Sequence, residues 1–338
     1  MKVGLDANTL RPLNLDPLGL LDKVVEYGLE GVMCSSRELL KLDGETRRRF
    51  VEKAAQDGLY VELTGAGVNP GHSGKSVDDL VAAWKPLFPL ASEVGASILN
   101  TCLGTFPNRT FKSPSLDEQI QITIEVLRRV APVAADYGVT ITMELHVDLT
   151  SRELVHIVET VDSPHVGVNL DTANSLGLLE DPVEAASNLL PYVRTTHYKD
   201  TRIYLTDDGY NSQVVPLGTG LVDLPTITEM LYKAQPDIHL NIEDAWGPLN
   251  IEDACGPGIR VPFYDPDFIN SFPELTPLAL VKLLQHLRKG EKLLRAGIHP
   301  RPDKGKVADV AKSRLWYSAD YARRLRDEVV ARAASQGR

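Results

Sequence analysis

Eight short β-rich runs alternate with helix-like stretches over the first 245 residues, and this alternation constrains the fold more than any other feature. The runs are 2–6 (KVGLD), 30–34 (EGVMC), 59–63 (LYVEL), 97–101 (SILNT), 139–145 (VTITMEL), 166–170 (VGVNL), 193–198 (VRTTHY) and 238–243 (IHLNIE). Between them apolar residues recur at helical spacing. Leu18, Leu21, Val24 and Val25 do so in 17–27, and Ile120, Ile124, Leu127, Val130 and Val133 in 116–135. Gly28, Gly58, Gly95 and Gly138 each stand just past such a stretch, where a helix ends in a left-handed residue. Ser115 with Glu118, and Ser151 ahead of Arg152-Glu153, read as helix N-caps. Parallel neighbours need a crossover, usually a helix, so strand–helix units in alternation predict a parallel sheet. A closed α/β barrel of the (β/α)8 kind takes all eight units, and an open doubly wound sheet is the alternative.

After residue 245 the pattern breaks. Residues 247–275 are rich in Gly, Pro and Asp and read as a long loop over the barrel mouth, where loops tend to carry function. The stretch 276–296 reads as the eighth barrel helix, and a Pro-rich linker then leads to an amphipathic helix over 303–335. The expected organisation is one barrel over 1–300, mouth loop included, with a helical extension over 301–338.

Composition narrows the function classes. A net charge of −10 argues against a general binder of phosphate backbones, so nucleic acid is not an expected partner. No apolar run approaches the roughly 18 residues of a membrane span, and Asp6 comes too early for a signal peptide. Cys34, Cys102 and Cys255 are widely spaced, with no C-x-x-C pattern, and read as free thiols. A cytoplasmic protein is the expectation.

In such a barrel the site is built from polar residues at the C-terminal ends of the strands. The ends of the fifth to eighth runs carry Glu144, Asp171, His197 and Glu243. Singly, each has an ordinary explanation as a helix cap, a hydrogen-bonded core histidine or half of an ion pair. Together, three carboxylates converging in an apolar barrel would raise one another's pKa unless a cation sat among them. Three oxygens and one imidazole suit Mn²⁺, Mg²⁺, Co²⁺ or Zn²⁺. In TMELHVD (142–148) an extended chain puts Thr142, Glu144 and His146 on one face, so His146 either supports the ligand or is an ionisable group in its own right. Lys199, Asp200 and Arg202 follow His197 and are candidates for substrate contact or for a surface ion-pair cluster. Asn8, His72, Asn100 and Trp246 fall at run ends or in the loops after them, with Trp246 offering a stacking face to a sugar.

The segments VNLDTAN (168–174), THYKDTR (196–202), VPLGTGLVD (215–223) and LNIEDAW (240–246) resemble those of the xylose isomerase-like TIM barrels, over about residues 1–245. That family includes ketose 3-epimerases, pentulose-phosphate epimerases, inosose dehydratases and dehydroshikimate dehydratases. The resemblance implies that Glu144, Asp171, His197 and Glu243 hold one divalent metal ion, Mn²⁺ in the first place. It also implies that Glu144 and Glu243 act as acid and base on a keto sugar, through an enediolate formed beside its carbonyl. A metal-dependent sugar isomerase or epimerase, assembled as a homo-oligomer, is the leading expectation. Two positions depart from the epimerase pattern. Asn174 stands where those enzymes often have a histidine, three residues after the metal-binding Asp, so substrate contacts there differ. His146 is an extra group: in the family's lyase branch, which eliminates a leaving group from 3-keto sugars and C-glycosides, a histidine near the metal can act as base. Such lyases can work with a small β-sheet partner subunit.

Other readings fail on residues. In TGAGVNPGHSGKS (64–76) a phosphate-binding P-loop would need glycine where Asn69 stands, and a dinucleotide fingerprint from Gly65 would need Gly or Ala where Pro70 stands. Apurinic-site endonucleases share this barrel, but they need more histidines and a basic groove. A non-catalytic sugar binder would leave the carboxylates of strands five to eight at a cost that no metal offsets.

Overall fold

The computed structural model describes residues 1–244, 258–296 and 307–336. Eight parallel strands close into a barrel: β1 (Lys2–Asp6), β2 (Gly31–Cys34), β3 (Tyr60–Thr64), β4 (Ile98–Thr101), β5 (Thr140–Glu144), β6 (Val166–Asp171), β7 (Val193–Tyr198) and, after an inserted hairpin of β8 (Asp200–Thr206) and β9 (Gly209–Val215), β10 (His239–Ile242). Closure falls between the first and the last of them, with Val3 opposite Leu240 on one side of β1 and Leu5 opposite Val32 on the other. All eight expected runs are strands, and the closed barrel, not the open sheet, is the fold.

The helix signals hold with instructive shifts. Gly28, Gly58, Gly95 and Gly138 all lie at φ between 63° and 70° and stop their helices as expected. The cap ahead of Glu153 is Thr150 rather than Ser151. A capping box sets its partners three positions apart, and only Thr150 has that spacing to Glu153. In the helix Leu116–Asp136, Ile120, Ile124, Leu127 and Val130 are buried, but Val133 turns outward and Ala134 takes the inner place.

Alternation along each strand sends every second side chain into the barrel. Below the mouth that interior is polar and aromatic. A Cβ on Gly4 would lie 1.9 Å from the Tyr60 hydroxyl, and one on Gly31 would lie 2.2 Å from its ring, so two missing side chains make room for one large one. Tyr60 stacks on His239 at 3.6 Å. Glu62 accepts from Thr195 (2.7 Å), Asn241 (2.8 Å) and the His239 ring (2.6 Å). These satisfied groups give the site above them a rigid floor.

Three features beyond strand seven depart from expectation. The hairpin β8–β9 follows the seventh strand, with a two-residue turn at Asp207-Asp208 ahead of Gly209 as its signal. Within the expected mouth loop, residues 245–257 lie outside the described residues. The remainder is not plain loop, since β11 (Ile259–Val261) pairs antiparallel with β9 and a short helix covers Pro266–Asn270. Finally, the helix Pro277–Arg295 does not line the barrel wall. It packs on β8, while the C-terminal helix Val307–Gln336 packs on β1, β10 and the helix Leu224–Ala234. The reason lies in the buried faces. Only Leu283, Leu287 and Gly290 of Pro277–Arg295 are buried, with Leu278, Val281 and Leu284 exposed, whereas the C-terminal helix buries Leu315, Ala319, Ala322, Leu325 and Val329.

Gly290 carries the contact with the hairpin, because a Cβ there would lie 1.7 Å from the Ile203 carbonyl oxygen. Gly→Ala inside a helix ordinarily stabilises by about 1 kcal/mol through propensity. At Gly290 the sign reverses: forced separation of packed backbones costs about 1–3 kcal/mol. Gly290→Ala is therefore expected to lower the denaturant midpoint, and a raised midpoint would show that the helix does not bear on β8.

Candidate metal centre

The strand ends bring Asp6 (β1), Met33 (β2), Asn100 (β4), Glu144 (β5), Asp171 (β6), His197 (β7) and Glu243, just past β10, to the barrel mouth. Ligand atoms of Glu144, Asp171, His197 and Glu243 all lie within 4.8 Å of one another, and all four residues are buried. His197 Nδ1 is 3.2 Å from Glu144 Oε1 and 3.3 Å from Glu243 Oε2. Lys199 Nζ stands 2.6 Å from Asp171 Oδ2 and 2.7 Å from Glu243 Oε2.

Asp171 and Glu144 are each aimed by the outer oxygen. The backbone amides of Ala173 (2.8 Å) and Asn174 (3.0 Å) donate to Asp171 Oδ1, which leaves Oδ2 for the centre. Asn100 Nδ2 donates to Glu144 Oε2 at 3.0 Å, and Thr142 Oγ1 fixes that amide by donating to its oxygen at 3.0 Å. Behind the imidazole, His197 Nε2 lies 3.2 Å from Met33 Sδ and 3.5 Å from Asp6 Oδ2. Such outer partners fix the ring and tautomer of a metal-ligating histidine.

Asp171 Oδ2, His197 Nδ1 and Glu243 Oε2 are buried, yet no contact they make has hydrogen-bond geometry, the close Lys199 ammonium included. Buried polar atoms are nearly always paired. Three such atoms from three strands, facing one another with Glu144, fit a divalent cation between them: three oxygens and one imidazole nitrogen.

The charges of the cluster are strongly coupled. Burial raises the Asp6 carboxyl to about 7, with Glu243 and Glu144 adding to it and His197 opposing. Burial pulls the His197 pKa down, but Glu144 and Glu243 outweigh it and carry it well above the usual value. Lys199 is likewise pushed up, because Asp171, Glu243 and Glu144 outweigh burial. Asp171 and Glu243 both touch Lys199 but shift in opposite directions. At Asp171 burial outweighs the one cation in contact, whereas at Glu243 burial is overcome by Lys199 and His197 together. Glu144, against the same burial, is held down to about 2 by His197.

Of the residues singled out from sequence, the structure gathers Glu144, Asp171, His197, Glu243, Asn100 and Lys199. Asn174 joins them, accepting from Lys199 Nζ at 3.5 Å and donating to the Leu145 carbonyl at 3.2 Å. His146 is half-buried beside the cluster, its Nδ1 2.9 Å from the Gly104 carbonyl. Asn8, His72 and Arg202 lie elsewhere. Asn8 is exposed, and only its backbone amide reaches the site, donating to Asp6 at 2.8 Å. His72 sits on Pro70–Ser73 with Nδ1 3.3 Å from Asn108 Oδ1. Arg202 is on the hairpin, where the charges that bear on it are Asp200 and Arg314. Trp246 lies outside the described residues.

Asp200 proves to be an anchor for the V-P-L-G-x-G turn. Gly218 (2.9 Å) and Gly220 (2.8 Å) donate to its Oδ2 and Val222 (3.1 Å) to its Oδ1. Gly218 has φ 78°, and a Cβ on Gly220 would lie 2.2 Å from the carboxylate, which explains both glycines. Asp6 and Met33 were missed in the sequence. Asp6 closes KVGLD as Glu144 closes its own strand, so the same strand-end rule applied to the first run finds it.

Comparison with known proteins agrees with the barrel fold. The family model described as xylose isomerase-like TIM barrel matches residues 21–259. The uncharacterized protein YihM of Escherichia coli (strain K12) is 26% identical over 214 residues, 62% of this chain and 60% of its own length. The 3-oxo-isoapionate decarboxylase of Pectobacterium atrosepticum is 25% identical over 235 residues, 68% of this chain and 78% of its own. Among solved structures, D-psicose 3-epimerase with D-tagatose from Clostridium cellulolyticum H10 shares the fold with a TM-score of 0.60 at 16% identity, over 86% of this chain and 99% of that one. Among the described residues no helix is long and apolar enough to cross a membrane.

Proposed function

This chain belongs to the xylose isomerase-like TIM-barrel family, and from that premise we propose that it is a divalent-metal-dependent enzyme that removes a proton next to the carbonyl of a keto sugar, with isomerisation or epimerisation as the outcome. The observation that carries the proposal is the buried convergence of Glu144, Asp171, His197 and Glu243, with inward atoms of the last three lacking directed partners. When bound there, a divalent ion, Mn²⁺ in the first place, supplies positive charge to the oxyanion that develops as the proton leaves. Glu144 and Glu243 flank His197 from strands on opposite sides of it, and each has an oxygen facing the centre. One takes the proton from the carbon beside the carbonyl, and the other returns a proton from its own side. Asn100, Asn174 and Lys199 line the same space and are the polar groups for substrate hydroxyls. The Asp6 carboxyl behind His197 holds the imidazole that completes the set.

A second reading, a lyase, rests on His146 and on the decarboxylase among the relatives. Because a carbonyl only accepts, the Gly104 contact puts the proton on His146 Nδ1 and leaves Nε2 with a free lone pair beside the cluster. A base there would serve elimination from a 3-keto-glycoside or C-glycoside.

Metal-loaded protein in D₂O with a panel of ketoses and 3-keto-glycosides tests both. Deuterium entering the carbon beside the carbonyl, followed by NMR and abolished by chelation, is the expected result. Release of an aglycone selects the lyase, and no exchange with any compound overturns the enediolate chemistry.

A further inference from the structure

We propose that Cys102, His146 and Asp148 form a second and softer metal site, suited to zinc, at the rim of the barrel beside the first cluster. Cys102 follows β4, and His146 and Asp148 follow β5, its paired neighbour in the barrel. One ligand-type atom from each of the three lies within 4.8 Å of the others. Zinc bonds of about 2.0–2.3 Å in tetrahedral geometry need separations of roughly 3.3–3.8 Å. Binding therefore draws any two of those atoms together by at most about 1.5 Å.

The peptide of Gly104 already orients two of the three. Its carbonyl accepts from His146 Nδ1 at 2.9 Å, which leaves Nε2 as the ring nitrogen with a lone pair and no partner among the described residues. Its amide donates to Asp148 Oδ2, and the Leu149 amide donates to Oδ1 at 2.8 Å. This is the outer support that ligating imidazoles and carboxylates receive in metal sites. It also accounts for the glycine, since a Cβ on Gly104 would lie 2.3 Å from Asn108 Oδ1.

A purely structural role explains less. His146 and Asp148 together pin both polar groups of Gly104 and so already staple the loop after β4. The thiol adds only a weak contact to the Gly104 carbonyl at 3.8 Å. What it does add is a soft donor, which the oxygen-rich first cluster lacks. One sulfur, one imidazole and one carboxylate leave a fourth position for water, the arrangement of an open zinc site.

Proton balance follows from the surroundings. Burial, with Asp148 and Glu144, holds the Cys102 thiol protonated. The same negative groups attract a cation. As Zn²⁺ enters, the S–H bond breaks, a Zn–S bond forms, and the proton passes to solvent, one per ion bound. The proposal does not rest on the enediolate reading. It does bear on the lyase, because His146 cannot act as base while its Nε2 holds zinc.

The test uses the full-length protein, reduced and metal-free, titrated with Co²⁺ and then Zn²⁺. Two equivalents of cobalt are expected, with a thiolate-to-cobalt charge-transfer band arising from only one of them and bleached by zinc. Cys102→Ser is expected to remove that band and one equivalent. Asp171→Asn is expected to remove the other equivalent and leave the band. A wild-type protein that binds cobalt without any thiolate band overturns the proposal. So does a band that persists in Cys102→Ser, which would assign the thiolate to another cysteine, or one that vanishes in Asp171→Asn. A measurement without variants guards against misfolding: zinc is expected to slow alkylation of Cys102, read by mass spectrometry, and an unchanged rate overturns the site.

Discussion

Glu144→Gln is expected to lower the rate of α-deuterium exchange by about 10²–10⁴-fold, the range that a positioned general acid or base contributes. The argument is local. Asn100 Nδ2 donates to Glu144 Oε2, so a glutamine in this place keeps its amide oxygen toward Asn100 and turns its NH₂ group into the cluster. An amide nitrogen has no lone pair for a metal and no basicity for a carbon acid. The substitution also removes one of the negative charges that face Lys199 and His197, so metal affinity is expected to fall with the rate. Isothermal titration of the metal and the exchange assay separate the two losses. Turnover that stays low at saturating metal assigns acid/base work to Glu144, whereas full recovery leaves it a ligand alone. Retention of both wild-type affinity and wild-type exchange would remove Glu144 from the mechanism.

The barrel was legible because its strands are short, β-rich and punctuated by glycines such as Gly28 and Gly138, which local sterics alone require. The strand-end rule found the four convergent side chains for the same reason: alternation fixes which residues face the axis once a strand is placed. What escaped depends on contacts between distant segments. Pro277–Arg295 has helical periodicity but carries Leu278, Val281 and Leu284 outward, and only the assembled hairpin shows where its narrow inner face belongs. Lys199 and Arg202 are three residues apart and both cationic, yet Lys199 enters the cluster while Arg202 lies on the hairpin among the charges of Asp200 and Arg314. The change of strand at Asp200 divides them, and that change is set by the backbone amides of the glycine turn some twenty residues on. Asn8 and His72 stand in the short helices Ala7–Leu13 and Pro70–Ser73 that follow strands, where Asn8 is exposed and His72 contacts Asn108. Position after a strand locates the mouth; it does not say which loop residues lean into it.

Arg314→Leu is expected to destabilise the protein by about 3–5 kcal/mol, the cost of leaving a buried charge without its partner. Arg314 reaches from the C-terminal helix to clasp Asp244 with two nitrogens, Nε at 2.8 Å and Nη2 at 2.5 Å, and both side chains are at most 8% exposed. Asp244 is the residue after Glu243, and its amide donates to Thr9 Oγ1 at 2.9 Å while Thr9 donates to the Ile242 carbonyl at 3.0 Å. The helix, the first turn after β1 and the end of β10 are thus tied at the peptide that carries a candidate metal ligand. Two consequences follow together. Denaturant unfolding is expected to show the loss in stability, and metal affinity is expected to fall because the clasp holds Asp244, the residue next to Glu243. Pairing the change with Asp244→Asn removes the stranded carboxylate, so the double variant is expected to lose less stability than Arg314→Leu alone. The metal affinity of that double variant is expected to stay low, because the clasp that holds Glu243 in register is still missing. A double variant as unstable as the single one would show that helix packing, and not the ion pair, carries the energy. Unchanged metal affinity in Arg314→Leu would show that Glu243 is held by the barrel alone.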